Sequence, residues 1–458
     1  MKLIKGKKAD INYLARIVDI KEFTKHPNPK VERMKVAHIE GYSICVGINE
    51  QPGLYVYFPT LSQINENLLA YCNLYRNKEL NRNPEEKTGF FEKNGRVKAI
   101  RLQGFPSEGF LLPYEQLQSW ILSEVNVNLP EFEDGTEFNE VEHDNKTFWV
   151  CKKYIVPEPT LSLGGGRRNR RTKIVKRFDK LREDQFRFHY DTVIFKKEPN
   201  VISPNDLISI TEKVHGTSGI SAYVLCHKKL SLKEKIAKWF TKESFDTYDY
   251  VYASRSVIKN RYINNNVSLG YYDCDVWAEA DKILKPILCK GMTLYYEIVG
   301  YLPTGNYIQK NYDYGCMPPL KDEAYKEGKH FKIYVYRITT TNVDGIVHEW
   351  SAREVQQWCK FKGLRPVTEL YYGYAKDLYP QLNIEEHWNE NFLNCLASDK
   401  NFYMEELSPS CNNKVPHEGI VIKKEDGIPH AWKLKTFAFL GKEQQEADKG
   451  ETNIEDNA

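Results

Sequence analysis

Apolar and polar residues alternate in short runs through the first part of the chain. Residues 14–20 (Leu-Ala-Arg-Ile-Val-Asp-Ile), 34–39, 43–47 and 54–58 all follow a period of two, with turn residues between them. That period belongs to strands with one buried face. Runs at 96–102 and 109–113 extend the series, and strands so closely spaced predict a small β-barrel of the OB type over 1–150. The pattern breaks at Pro157 and Pro159 and then at three successive glycines, 164–166, which marks a linker over 151–181. Beyond Phe186 the elements are mixed. Apolar-rich strands are expected at 207–211 and 292–300, and one helix is well marked. Ser351 and Glu354 have capping-box spacing, Val355, Trp358, Cys359 and Leu364 form an apolar face, and Gly363 is a C-terminal stop. Only 436–458 follow Lys435, ending in a polar, acidic stretch, so no third folded domain is expected there. The predicted class is α+β: barrel 1–150, linker 151–181, main domain 182–442, tail 443–458.

Composition changes this picture little. Across 458 residues, 41% apolar and 28% charged, with 30 Tyr and 21 Phe, the chain reads as globular. A net charge of +3, from 65 basic and 62 acidic residues, is too small to argue for nucleic acid, so the distribution has to carry that argument. Two places concentrate positive charge. Arg96, Lys98 and Arg101 are expected near a solvent face of the barrel, either to hold a phosphate backbone or as ordinary edge-strand charges. Arg167, Arg168, Arg170 and Arg171 follow the glycines, either as a polynucleotide contact or as a solvated tether. With no Gly-Lys-Ser/Thr ending, the glycines are not a phosphate loop. The ten cysteines are scattered, without Cys-x-x-Cys, and are expected to be reduced and mostly buried. No apolar run approaches the roughly 20 residues of a membrane span, and residues 1–8 lack a signal-peptide core. A soluble, cytoplasmic or intracellular protein without a membrane partner is the expectation.

The candidate chemistry centres on Lys213, at the end of an expected strand, in Glu212-Lys213-Val214-His215-Gly216-Thr217. By itself such a tetrapeptide lysine is common. It is followed, in order, by Tyr295-Tyr296-Glu297-Ile298-Val299-Gly300, by His417-Glu418-Gly419-Ile420-Val421-Ile422-Lys423, and by Trp432-Lys433-Leu434-Lys435. These four segments resemble motifs I, III, IV and V of the covalent nucleotidyltransferases, the superfamily of polynucleotide ligases and capping enzymes. The resemblance implies a C-terminal adenylation domain of antiparallel sheets with flanking helices. It also implies that Lys213 is adenylylated by ATP, with Mg2+ or Mn2+ as the metal.

The roles that follow suit the residue types. An amine attacks only when unprotonated, and Lys433 and Lys435 nearby would favour that form while gripping the α-phosphate from one face of a strand. Glu418 would help hold the metal, Lys423 would face the nucleotide, and Glu297 would accept from ribose hydroxyls. Glu212, Val214 and His215 would complete the nucleotide site around Lys213. Arg255, in Tyr252-Ala253-Ser254-Arg255-Ser256, stands where the family carries an arginine that contacts the nucleotide or the 5′-phosphate. Tyr336, favoured over Tyr334, stands where an aromatic stacks on adenine. Arg337 departs from the pattern, since many relatives are acidic there.

His215 replaces the aspartate of most DNA ligases and capping enzymes. Gly305-Asn306-Tyr307-Ile308-Gln309-Lys310 and a leading rather than trailing barrel also resemble the nick-sealing RNA ligases. In that group an arginine upstream of the lysine contacts the ATP phosphates, which points to Arg187 or equally to Arg182. The expected substrate is RNA with 3′-hydroxyl and 5′-phosphate ends at a nick or break, acted on by a monomer. A DNA ligase, a GTP-dependent capping-type enzyme and an inactive RNA-binding relative are the alternatives. Residues 228–250 exceed what the motif spacing requires.

Overall fold

In the computed structural model the residues described are 1–458 except 8, 87–88, 130–131, 157–179, 183, 228–229, 242–245, 261–271, 273, 320–327, 385 and 451–458. The alternating runs become strands within one residue of the expected bounds at Ala15–Ile20, Met34–Ile39, Tyr42–Gly47, Gly53–Phe58 and Phe110–Pro113, whereas the run at 96–102 forms a strand only over Ala99–Leu102. Ala15–Ile20 pairs with Gly53–Phe58, which pairs in turn with Phe110–Pro113, all antiparallel. Their inward side chains, Ala15, Ile17, Val56, Phe58 and Leu112, form one core with helix Tyr114–Val125, which contributes Leu117, Trp120 and Ile121. Further short strands at Glu140–His143 and Lys146–Trp149 follow that helix. Cys151–Lys153, at the start of the expected linker, pairs with Ser62–Ile64 as part of this N-terminal unit.

The C-terminal unit is built on two sheets. Thr217–His227, Met292–Gly300 and Phe331–Thr341 form the centre of a seven-stranded sheet. Ala431–Lys435, Gly419–Lys424 and Leu207–Glu212 run side by side through a five-stranded one. Helices Val276–Leu284 and Ala352–Lys362 cover the first sheet, and Trp388–Ala397 covers the second. Ala352–Lys362 is the helix expected from the sequence, with its Ser351/Glu354 capping box formed and Gly363 in the left-handed region at φ 69°. All ten cysteines are free, and only Cys289 is exposed. Among the described residues no helix is long and apolar enough to cross a membrane.

Helix Phe437–Asp448 runs across the boundary expected at 442/443, so the first part of the expected polar tail is ordered and packed. It also changes the reading of the barrel's basic strand. Arg96 is buried rather than solvent-facing. Its guanidinium ion-pairs with Asp448 and donates to Gln444 O at 3.3 Å. Lys98 Nζ lies 3.1 Å from Asp448, and Arg101 stacks on Phe437 at 4.5 Å and reaches Glu405 at 3.5 Å. The three residues singled out as a phosphate-binding surface therefore clamp the C-terminal helix onto the N-terminal unit. Asp448 is the partner of a guanidinium with no solvent exposure but is itself half-exposed, so solvent screening moderates its value. Asp448→Ala is expected to lower stability by about 2 kcal/mol in urea unfolding, and Lys98→Ala by well under 1 kcal/mol.

Candidate active site

Residues 213–216 cross from one sheet to the other. The strand Leu207–Glu212 belongs to the five-stranded sheet and Thr217–His227 to the seven-stranded one, so the connection between them sits in the cleft where the sheets meet. It is pinned on both sides. Lys213 N donates to Gly419 O at 2.9 Å, His215 N to Tyr314 Oη at 2.7 Å, and Gln309 Nε2 to Gly216 O at 2.7 Å. Two glycines are required for this approach. A Cβ on Gly216 would lie 2.5 Å from Ile298 O, and one on Gly419, at φ +136°, would lie 2.0 Å from Leu434 O.

The crossing brings the expected residues together. Lys213 Nζ is 2.7 Å from one oxygen of Glu418, His215 Nδ1 is 3.5 Å from the other, and Lys435 Nζ is 3.9 Å from the first. Burial opposes ionisation of Glu418, but the charges of Lys213, His215 and Lys435 outweigh it and hold the carboxyl well below the usual carboxylate range. Lys435 is shared with Glu443 of the C-terminal helix, at 2.7 Å. From the same helix Phe439 packs edge-on against the His215 ring at 4.9 Å, with Tyr312 at 4.7 Å. Along Ala431–Lys435 the side chains alternate as expected: Trp432 and Leu434 enter the core while Lys433 and Lys435 line the cavity.

That cavity, of about 960 Å³, lies between the two sheets and the N-terminal unit. Glu297 and Tyr336, from strands of the seven-stranded sheet, and Arg255, just past another of its strands, line it together with the lysines. Tyr336 Oη is 3.1 Å from Ser218 Oγ, and burial followed by the charge of Glu297 pushes its hydroxyl above the ordinary range. Arg255 ion-pairs with Asp191. Lys423 also lines the cavity but donates to Trp350 O at 2.7 Å, with Glu349 at 3.7 Å. Asn306, Gln309 and Lys310, from the segment that follows Glu297, line it as well.

Several expectations are corrected. Arg187 is exposed, donates to Gly345 O at 3.3 Å and does not line the cavity; Arg182 is taken up by Asp184 and Asp246. Glu212 and Val214 contribute to the cavity wall, but their side chains turn elsewhere. The Glu212 carboxylate accepts from Thr368 and Ser410, and Val214 is buried with Val299 and Tyr312. Arg167, Arg168, Arg170 and Arg171 lie outside the described residues.

His189, Tyr190, Arg337 and Glu349, to which the sequence assigns no role, also line the cavity. Arg337 forms a bidentate pair with Glu349 at 2.8–3.0 Å and stacks over Tyr190 and Tyr295 at 4.7 and 4.4 Å. The basic residue that departs from the family pattern is thus matched by an acid from a neighbouring strand. Burial, and then the charges of Arg337, Arg255 and Lys213, push the His189 pKa well below its ordinary value, so the ring stays neutral. The unfolded chain accepts a proton there near pH ~6.5, which the folded chain refuses. Stability should therefore fall as pH drops through that value. Replacing His189 by Gln should flatten the decline, as read from urea midpoints between neutral and mildly acid pH.

Both Glu418 oxygens are buried and take no well-aligned hydrogen bond, only ion pairs. A carboxylate in this state can accept a hard divalent cation. Among the described residues no three His, Cys, Asp or Glu side chains cluster to hold one, so nucleotide phosphates and water would supply the remaining ligands.

No family profile and no curated protein matches this chain by sequence. Solved structures do match by shape. The Naegleria gruberi RNA ligase with pyrophosphate superposes with TM-score 0.53 at 17% identity, covering 95% of this chain and 100% of that one. A variant of that enzyme with ATP and Mn gives TM-score 0.53 at 18% identity over 94% and 99%, and a second gives 0.52 at 16% over 95% and 99%. The chain thus has the fold of an RNA ligase along almost its whole length.

Proposed function

We propose that this chain is an ATP-dependent RNA ligase that joins a 3′-hydroxyl to a 5′-phosphate at a nick or break. The observation that carries the reading is the ion-paired set Lys213, Glu418 and Lys435 at the crossing of two sheets, beside a cavity that Lys213, Lys435, Glu297 and Tyr336 all line. The shared fold with an enzyme solved with ATP, Mn and pyrophosphate supports it.

In this reading the Lys213 amine forms a bond to the α-phosphorus of ATP and the α–β bridging bond breaks, releasing pyrophosphate. The AMP passes to the RNA 5′-phosphate and Lys213 is regenerated. The 3′-hydroxyl then attacks that phosphorus and AMP leaves. Lys433 and Lys435 stabilise the charge that gathers on the phosphoryl oxygens, and positioning supplies much of the rest. Glu418 would hold the divalent ion, which neutralises phosphate charge when bound. Tyr336 offers a ring face for the base, and the Arg337–Glu349 pair, which also lines the cavity, fixes the Tyr190 and Tyr295 rings that Arg337 stacks on. Arg255 is the cation placed for a second phosphate.

Incubating the protein with magnesium and either α-labelled ATP or α-labelled GTP should label it with ATP alone. A nicked duplex with an RNA 3′-hydroxyl strand should then be sealed faster than its all-DNA counterpart. If GTP labels the protein, the capping-type reading wins; if neither nucleotide does, the chain is an inactive relative.

A further inference from the structure

Helix Leu232–Thr241, in the connection between strands Thr217–His227 and Asp246–Ser254, plays no part in the site described. It turns its apolar side chains outward. Leu232 is 80% exposed, Ile236 59%, Trp239 83% and Phe240 76%, and the Trp239 and Phe240 rings lie 5.5 Å apart. At 3.6 residues per turn these four fall within an arc of about 100°, a continuous stripe rather than scattered residues. Lys233 and Lys235 fall just outside the stripe, one on each side. In the sequence Lys228, Lys229, Lys238 and Lys242 add to them against Glu234 and Glu243.

We propose that this helix docks the protein on an anionic lipid surface, its stripe entering the headgroup boundary and the flanking lysines reaching lipid phosphates. Three observations favour this occupant over another protein or a nucleic acid. An apolar stripe fenced by lysines is the arrangement of helices that lie in a membrane interface, where long basic side chains snorkel to the headgroups. An indole at the stripe's edge suits the same boundary. The excess of lysine complements anionic lipid, whereas nucleic acid would leave the exposed Trp, Phe, Leu and Ile without a partner. Such a helix lies on the bilayer and needs no spanning segment.

The placement is compatible with catalysis. Register pairs Gly219 with Ser254 near the cavity and His227 with Asp246 at the far end, eight strand steps or roughly 27 Å away. That far end is anchored, since Asp246 takes Arg182 at 3.0 Å and His227 at 2.7 Å. A surface bound there leaves Ser218, Arg255 and the cavity free.

The test uses the full chain in flotation assays with vesicles of phosphatidylcholine alone and of phosphatidylcholine mixed with phosphatidylserine. The bound fraction should rise about ten-fold with phosphatidylserine and fall as salt is raised. The double variant Trp239→Ser, Phe240→Ser should lose that gain while still being labelled by α-labelled ATP as the unaltered chain is. Equal flotation of variant and unaltered chain, or no preference for phosphatidylserine, overturns the proposal. So does sedimentation that shows a dimer which the double variant dissolves, because the stripe would then belong to a second copy.

Discussion

Lys213→Ala will take up no label from α-labelled ATP, yet will still seal a nick whose 5′ end already carries AMP. Only the first two transfers pass through the lysine; in the third the RNA hydroxyl attacks a phosphorus that is already activated. Loss of the nucleophile should lower labelling and overall sealing by at least about 10³-fold, equivalent to roughly 4 kcal/mol of barrier, while sealing of the pre-adenylylated nick falls far less. Removing the ammonium also removes the partner 2.7 Å from a buried carboxylate, so a folding defect could imitate a chemical one. Lys213→Arg separates the two. It keeps a cation beside Glu418, but guanidinium does not deprotonate and cannot attack, so it should unfold near the unaltered midpoint and remain unlabelled. Labelling of either variant at an appreciable rate would falsify the assignment of Lys213.

Most of the strands were legible as short apolar-rich runs bounded by turn residues, as in Ala15–Ile20 and Gly53–Phe58, although both bury consecutive side chains and so have two covered faces rather than one. Lys433 and Lys435 were legible through the ordered motif segments, and alternation along Ala431–Lys435 then set both on one face. Helix Tyr114–Val125 was not read, although Tyr114, Leu117, Trp120 and Ile121 have helical spacing, because Pro113 at its start offers no side-chain cap. Helix Phe437–Asp448 buries only Phe439 and Gln444 and has no acidic residue in its first turn, so it resembles a polar tail in sequence. Its role comes from contacts at great sequence distance, with Arg96 and Lys98 at one end and His215 and Lys435 nearer the other. The basic strand of the barrel was misread for that reason: charge is visible in a sequence, but the carboxylate that answers it is not. Arg337 repeats the lesson, since only the fold brings Glu349 across to it. Arg187 shows the converse error, where a place upstream of Lys213 that matches the resembling group did not carry its side chain into the cavity.

Glu418→Gln should be the next most damaging change, lowering the rate of labelling by about 10² to 10³-fold with little alteration in shape. Gln keeps the volume and loses the charge on which Lys213, His215 and Lys435 converge. Lys435 retains Glu443, so the loss falls mainly on Lys213 and His215. Two readouts distinguish this from simple loosening. If Glu418 holds the divalent ion, the magnesium concentration for half-maximal labelling should rise in the variant; an unchanged requirement would move the metal elsewhere. Stability supplies the second. The Glu418 carboxyl is held below its ordinary range in the folded state, so its contribution is present above the unfolded pKa of about 4.3 and fades as pH falls below that value. At neutral pH, breaking so buried a set should cost about 3 kcal/mol in urea unfolding. In acid the unfolded form of the unaltered chain takes up the proton that the folded form refuses, and the difference between the two proteins should shrink. A gap that stayed constant from neutral pH into acid would mean that the carboxylate's charge contributes nothing to the fold, leaving its buried position to be explained by catalysis alone.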